Sequence, residues 1–377
     1  MIYLDNAATS LPKPSAVYHA VRRAMQCMAS PGRGGHRQAM LAAETVFLCR
    51  EQAAKMFQVE KPEYVVFTFN ATHALNIAIK TLVQPGSTVL ISGYEHNAVV
   101  RPLLSVGRVQ IRVAKAPLFS PDILLEQMEL LMGDDVDTVI CTHVSNVYGY
   151  ILPIQEIADL CRKKNKALIV DASQSAGCLP ISMKEWGAKF IAFPGHKGLH
   201  GPQGTGILLC DSDAVKPILE GGTGSASASL TMPDFLPDRL EAGTHNVSGI
   251  AGLLEGLRFV ESKKPENILR HERELLKRTK KGLTTIPGVE VFSTSNIKEQ
   301  TGVLSFRMRD VECEEIGNVL TEANIAVRAG LHCAPLAHRT GGTFESGTVR
   351  LGFSIFNQTS EIERFLNIMT QHYASKK

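Results

Sequence analysis

No apolar run in the 377-residue sequence reaches the ~18 residues that a membrane-crossing helix needs, so no membrane span and no membrane partner are expected. No excess of one charge is present either. Forty Lys and Arg against 37 Asp and Glu leave a formal +3, spread along the chain, and that is too mild to expect a nucleic-acid partner. The phosphate-cradling pattern G-x-x-x-x-G-K-[ST] is absent. The stretch GGTGSASAS at 221–229 lacks the third glycine of a dinucleotide fingerprint and reads equally as a surface linker or as the rim loop of a site. The eight cysteines form no C-x-x-C pair and no zinc-like spacing, so no metal site is expected. Several, such as Cys141 in VICTHV and Cys210 in GILLC, sit in apolar runs as small buried hydrophobes. Scattered thiols of this kind fit a reducing cytoplasm. The opening MIYLDNAATS carries an acid and an amide where a secretory leader needs basic and then apolar residues, so no leader is expected.

What is present is alternation. Apolar runs of strand length at 65–69, 87–92, 136–143, 167–171, 189–193 and 206–210 are interleaved with helical patterns at 72–83 and 154–164. Continuous apolar runs fit strands covered on both faces, and strand–helix alternation predicts an α/β fold with a mainly parallel central sheet. A stripe of Val17, Ala20, Val21, Ala24, Met25 and Met28 reads as the core face of an early helix. From about 248 the texture changes to a long helical stretch reaching 283, then strands near 303–309 and 348–353. Length alone favours two domains. The expected division is a large domain at 14–250 and a smaller α+β domain made of 1–13 and 251–377.

Ligands of parallel α/β sheets sit beyond the carboxyl ends of the strands. Five successive strand ends carry polar residues there: Asn70-Ala71-Thr72, His96, Asn146, Asp171 with Gln174, and His196-Lys197. A strand-end Asp alone is more often a cap or turn residue. The conjunction matches the needs of pyridoxal 5′-phosphate, which requires a lysine for its aldehyde and an acid against its ring nitrogen. Lys197 and Asp171 would meet those needs. Ala71 and Thr72 open a helix whose amides suit a phosphate. His96 could stack on the ring, and Asn146 and Gln174 could bond its oxygen. The glycine-rich run PGHKGLHGPQGTG lets the backbone turn tightly around Lys197.

The segments YLDNAAT, FNATHALN, YEHNAVV, VSNVYG, VDASQS, PGHKGLHGPQGTG, EAGTHN, VRAGLHCAP and VRLGFSIFN span nearly the whole chain. In this order the chain resembles the PLP-dependent class V aminotransferase family, and within it the cysteine desulfurases with a short cysteine loop. The resemblance implies PLP fold type I, with Lys197 as Schiff-base lysine, His96 as ring-stacking histidine and Asp171 as pyridinium partner. It puts Thr72, Gln174 and His196 at further cofactor-binding positions. It also implies a homodimer in which Thr244 reaches the partner subunit's phosphate.

Cys333 in RAGLHCAPLAH reads either as another buried thiol or as an exposed loop nucleophile, and its Gly/His/Pro surroundings favour the loop. At the matching position the family carries its persulfide. Sixteen residues lie between Cys333 and Arg350, a short spacing for that loop. The resemblance makes Arg350 the grip on the substrate carboxylate, helped by Asn146, with Arg328 as a second rim candidate. His332 reads as a thiol partner or as a plain polar loop residue. The implied activity is conversion of L-cysteine to L-alanine with sulfur held on Cys333 and passed to a protein acceptor. Selenocysteine lyase, or an aminotransferase or epimerase of the same fold, stays as the alternative. Three departures from the family pattern stand out: Pro194 where a hydroxyl residue is common, His73 where an acid is common, and an unusual segment at 336–347.

Overall fold

The computed structural model describes residues 1–32 and 34–373, so the end of the expected small domain, 374–377, lies outside the described residues. A short strand, β1 (Ile2–Tyr3), precedes the main sheet. That sheet is built from β2 (Val65–Thr68), β3 (Thr88–Ser92), β4 (Gln110–Ala114), β5 (Val136–Thr142), β6 (Ala167–Asp171), β7 (Phe190–Pro194) and β8 (Gly206–Cys210). Their spatial order is β2-β8-β7-β6-β5-β3-β4. The pairs β3/β4, β3/β5, β5/β6 and β6/β7 are parallel, and β8 alone runs against its two neighbours.

Side chains on a strand alternate between faces. Leu90, Val139, Cys141, Leu168, Val170, Ile191 and Phe193 enter one core. Val89, Ile91, Ile140, Ile169, Phe190 and Ala192 enter a second core on the opposite face. With both faces covered, no position in these strands needs a polar residue, which is why they read as unbroken apolar runs. Register then fixes where the strands end. Thr142 pairs with Asp171, Pro194 with Gly206, and Gly206 with Thr68, so the ends that carry polar residues lie along one edge.

Three of the departures from expectation have a clear local cause. β4 has no apolar run, since it is an edge strand, QIRVA, with partly exposed positions. The strand expected over 65–69 stops at Thr68, because Asn70 caps the next helix, Ala71–Leu82. The long helix expected to reach 283 is two helices, Val247–Lys263 and Pro265–Leu283. Pro265 disfavours helical geometry at the preceding residue, and Lys264, at φ 68°, is not helical and separates the two.

The C-terminal part holds strands β9 (Val289–Phe292), β10 (Val303–Met308), β11 (Ile325–Ala326), β12 (Arg328–Gly330) and β13 (Thr348–Gly352). Four of them form an antiparallel sheet ordered β12-β13-β10-β9, and β11 pairs with β1. The N-terminal arm therefore belongs to this part by contact. Leu4 is buried with Leu304, Phe306, Leu351 and Phe365. Gly352 lets the arm lie flat, since a Cβ there would fall 2.5 Å from the Ala7 nitrogen. All eight cysteines are free, and only Cys27 and Cys333 are exposed. Among the described residues no helix is long and apolar enough to cross a membrane.

Candidate active site

One cavity opens at the common edge of the large sheet. Asn70, Ala71 and Thr72 line it from the end of β2, Asp171 and Gln174 from β6, and Lys197 from the loop after β7. His96, Asn146, His196 and Pro194 line it as well. Each is placed by a local interaction that its sequence provides. The Asn70 side chain accepts a hydrogen bond from the His73 amide at 2.9 Å and so starts the Ala71–Leu82 helix, whose first amides have no partner within the helix. His96 caps the helix Asn97–Val106 by accepting from the Ala98 amide through Nδ1 at 3.0 Å. That bond leaves the proton of the neutral ring on Nε2. Burial, helped by the charge of Lys197, lowers the His96 pKa to about 4, so the ring is neutral at neutral pH. Asp171 is buried at the end of β6 and accepts from the Ser173 amide at 2.9 Å.

Lys197 lies in a loop that crosses other backbone closely. A Cβ on Gly198 would sit 2.4 Å from the Ala176 carbonyl oxygen, and one on Gly195 would sit 2.3 Å from the Thr205 hydroxyl. The glycines flanking Lys197 are thus required by close approach. Burial lowers the Lys197 pKa to about 8, with Arg350 and Arg328 adding to the effect and Asp171 opposing it. The neutral amine is the nucleophilic form. Uptake of pyridoxal 5′-phosphate by the cofactor-free protein should therefore speed up as pH rises toward 8 and level off above it. An ordinary lysine would keep gaining to about pH 10.4. Stopped-flow absorbance across pH 6–10.5 checks this.

The C-terminal sheet supplies the remaining parts. Arg328 on β12 and Arg350 on β13 are register partners. Arg350 is 1% exposed, so it is no strand-edge surface charge. Its Nη2 lies 2.8 Å from Asp5 Oδ1, and its Nη1 donates to the Asn146 carbonyl at 3.2 Å. Cys333 is exposed on the loop after β12, between buried His332 and Ala334, and both it and His332 hold left-handed backbone, at φ 58° and 49°. Two left-handed residues in a row are costly for non-glycines, and the surroundings hold them. The Asn97 amide donates to the Cys333 carbonyl at 2.9 Å, and Asn146 Nδ2 donates to the His332 carbonyl at 2.8 Å. The His332 ring is buried and bonds Thr348, so it anchors the loop and does not face the thiol as a free partner. Arg328 Nη2 is 3.7 Å from Cys333 Sγ.

Asn146 and Gln174 both line the cavity, with their amide N–H groups engaged on the carbonyls of His332 and Ala7. Thr244 is not brought to this cavity. It is exposed on a loop beside a second hollow that also contains Phe69, His73 and His245. His73 stacks on Phe69 at 4.8 Å instead of facing the cofactor cavity. Nothing local in the sequence marks three further contributors. Asp5 pairs with Arg350, Thr9 Oγ1 lies 3.0 Å from His196 Nδ1, and Ser10 donates to the His196 carbonyl at 3.1 Å. All three sit on the N-terminal arm, and only the fold brings them to residues hundreds of positions away.

The family model for class V aminotransferases matches residues 2–365. A probable cysteine desulfurase of Pyrococcus abyssi is 30% identical over 98% of this chain and 94% of its own length. One from Methanothermobacter thermautotrophicus is 31% identical over 96% of this chain and 92% of its own. Among solved structures, the apo cysteine desulfurase of Thermococcus onnurineus NA1 is similar with a TM-score of 0.92 and 31% identity, over 99% of this chain and 94% of that one. The Escherichia coli cysteine desulfurase CsdA, in an S-sulfonic acid form, has a TM-score of 0.87 and 26% identity, over 98% of this chain and 94% of that one.

Proposed function

Since the chain belongs to the class V aminotransferase family, in its cysteine desulfurase branch, we propose that it removes sulfur from L-cysteine, releases L-alanine and carries the sulfur on Cys333. The observation that supports this most is the joining of two parts: a lysine-and-aspartate cavity at the sheet edge, and a cysteine loop pinned to it through Asn97 and Asn146.

The donor set of the cavity fits pyridoxal 5′-phosphate. Lys197 offers an amine with a lowered pKa for the aldehyde, and buried Asp171 offers a carboxylate for the ring nitrogen. The Ala71 and Thr72 amides suit the phosphate. Pro194 lines the cavity but has no donor to offer, which leaves more of the phosphate to those amides. His96, Gln174, Asn146 and His196 complete the lining. When bound, the cofactor supplies an electron sink that makes the substrate's Cα proton acidic.

The chain's own residues do the rest. Arg350 holds the substrate carboxylate, with Arg328 as a further cation at the rim. The Lys197 amine takes the Cα proton, since a pKa lowered to about 8 leaves a usable neutral fraction near neutral pH. The Cys333 thiolate attacks the substrate sulfur. A sulfur–sulfur bond forms, the carbon–sulfur bond breaks, and its electron pair stays with carbon, which takes up a proton and leaves as alanine. Cysteine plus the Cys333 thiol thus becomes alanine plus the Cys333 persulfide, with no other oxidant or reductant. A thiol suits this step because its sulfur is a soft nucleophile able to take up a second sulfur atom. Incubation with L-cysteine should release alanine, and the same assay with L-selenocysteine measures the preference between the two. No alanine from either substrate would sink the proposal.

The same reading makes the protein a homodimer and a cytoplasmic enzyme that hands sulfur to a protein acceptor at exposed Cys333. Thr244, exposed away from its own cavity, supports a role toward the partner subunit. So do exposed Phe69 and Leu219, which line the hollow beside it. Light scattering should give about twice the chain mass, and a monomer loaded with cofactor would contradict the dimer. The division into 14–250 and a small domain of 1–13 with 251–377 is supported by Leu4 sharing the core of β10 and β13.

A further inference from the structure

The N-terminal arm brings a carboxylate to the residue assigned above to the substrate's carboxylate. Arg350 has three nitrogens, and the chain occupies two of them. Nη2 meets Asp5 Oδ1 at 2.8 Å, and Nη1 donates to the Asn146 carbonyl at 3.2 Å. Nε is buried and has no partner among the described residues. A guanidinium binds a carboxylate best through two parallel N–H groups. Asp5 makes one charged contact and leaves the neighbouring Nε unused. An incoming carboxylate able to take both Nη2 and Nε would satisfy the guanidinium better than Asp5 does.

Asp5 is also placed to let go. Its side chain is 19% exposed, whereas that of Arg350 is 2% exposed, so the carboxylate has water to turn to and the guanidinium does not. Its backbone is fixed independently of that side chain. The Leu4 amide donates to the Ala326 carbonyl at 2.9 Å, and Asn6 Nδ2 donates to the Gly352 carbonyl at 2.9 Å. On the far side, Gln174 holds the Ala7 carbonyl at 2.9 Å. The arm can stay in place while one side chain swings out.

We propose that Asp5 is an internal competitor of the substrate carboxylate for Arg350, and so a specificity-determining residue of this site. The proposal rests on the assignment of Arg350 to the substrate carboxylate. A ligand with a carboxylate exchanges one ion pair for another. A ligand without one has nothing to displace Asp5 with, so the Asp5–Arg350 pair stays in place. Asp5 therefore holds down the affinity for carboxylate ligands and leaves that for the corresponding amines and amides unchanged.

The test uses Asp5→Asn, which keeps the shape and removes the charge, and Asp5→Ser as a second variant should the first fold poorly. In the cofactor-loaded protein, KM for L-cysteine should fall about fivefold, the scale of a partly exposed ion pair, with kcat held within about twofold. Calorimetry with 3-mercaptopropionate, on loaded and cofactor-free protein, should show a matching gain in affinity, and 3-mercaptopropionamide should show none. A merely structural role would lower the unfolding midpoint with no gain in 3-mercaptopropionate affinity. Unchanged or weaker 3-mercaptopropionate binding in both variants, with binding abolished in Arg350→Gln, overturns the competitor role and leaves the Arg350 assignment standing. Full binding in Arg350→Gln overturns both.

Discussion

Lys197→Ala is expected to give a folded protein that no longer holds pyridoxal 5′-phosphate covalently and that releases alanine from cysteine at least about a thousandfold more slowly. The reason lies in the cavity wall. Among its lining residues Lys197 supplies the only amine, alongside carboxylate, amide, imidazole and hydroxyl groups. Neither His96 nor His196 can replace it as a base at neutral pH with comparable strength, since burial has lowered the pKa of each to about 4. The fold should not suffer. Burial, with the charges of Arg350 and Arg328, outweighs the opposing Asp171, so the protonated amine is on balance disfavoured there and its removal costs little. Loss of the visible absorbance band after gel filtration, with an unchanged unfolding midpoint, is the expected result. A band that survives denaturation in the variant would contradict it.

Cys333→Ala is expected to separate binding from sulfur transfer. The thiol is exposed, and the loop that carries it is held by main-chain groups: the Cys333 carbonyl on the Asn97 amide, and the His332 carbonyl on Asn146. Truncating the side chain leaves those bonds in place. Cofactor content and the spectral response to cysteine should match the wild type, while alanine release falls at least about a hundredfold. Full turnover in this variant would point to an aminotransferase or epimerase of the same fold, which has no use for the thiol. Arg328, whose Nη2 lies 3.7 Å from the sulfur, should not rescue the reaction, since a guanidinium can stabilise a thiolate but cannot accept a sulfur atom.

Much of the scaffold is readable from residue order because the central strands are buried on both faces. Ile169, between Leu168 and Val170, has to be apolar for one core while its neighbours have to be apolar for the other. Such runs cannot hide. β4 can, because its edge position tolerates Gln110 and Arg112. The cavity is readable for a related reason. Its residues lie immediately after strands, where register alone brings Asp171 alongside Thr142 and Pro194 alongside Gly206. Lys197 follows from the same edge and from glycines that close backbone crossings require.

The N-terminal arm and the cysteine loop are another matter. Asp5 meets Arg350 across 345 positions, and Thr9 meets His196 across 187. No period or local spacing encodes such pairs. His332 looks like a thiol partner from its place beside Cys333, yet left-handed backbone at both residues turns its ring inward to Thr348. Thr244 is the converse case. Its assignment came from resemblance alone, and within one chain it stands apart from the cavity.

The most direct test of the account is mass spectrometry of the loaded protein after brief incubation with L-cysteine, followed by peptide mapping without reductant. The account predicts one additional sulfur atom on the peptide containing Cys333, lost on adding a thiol reductant and absent from Lys197→Ala. Alanine release with Cys333 left as a plain thiol throughout, or the added sulfur on another of the eight cysteines, would contradict it.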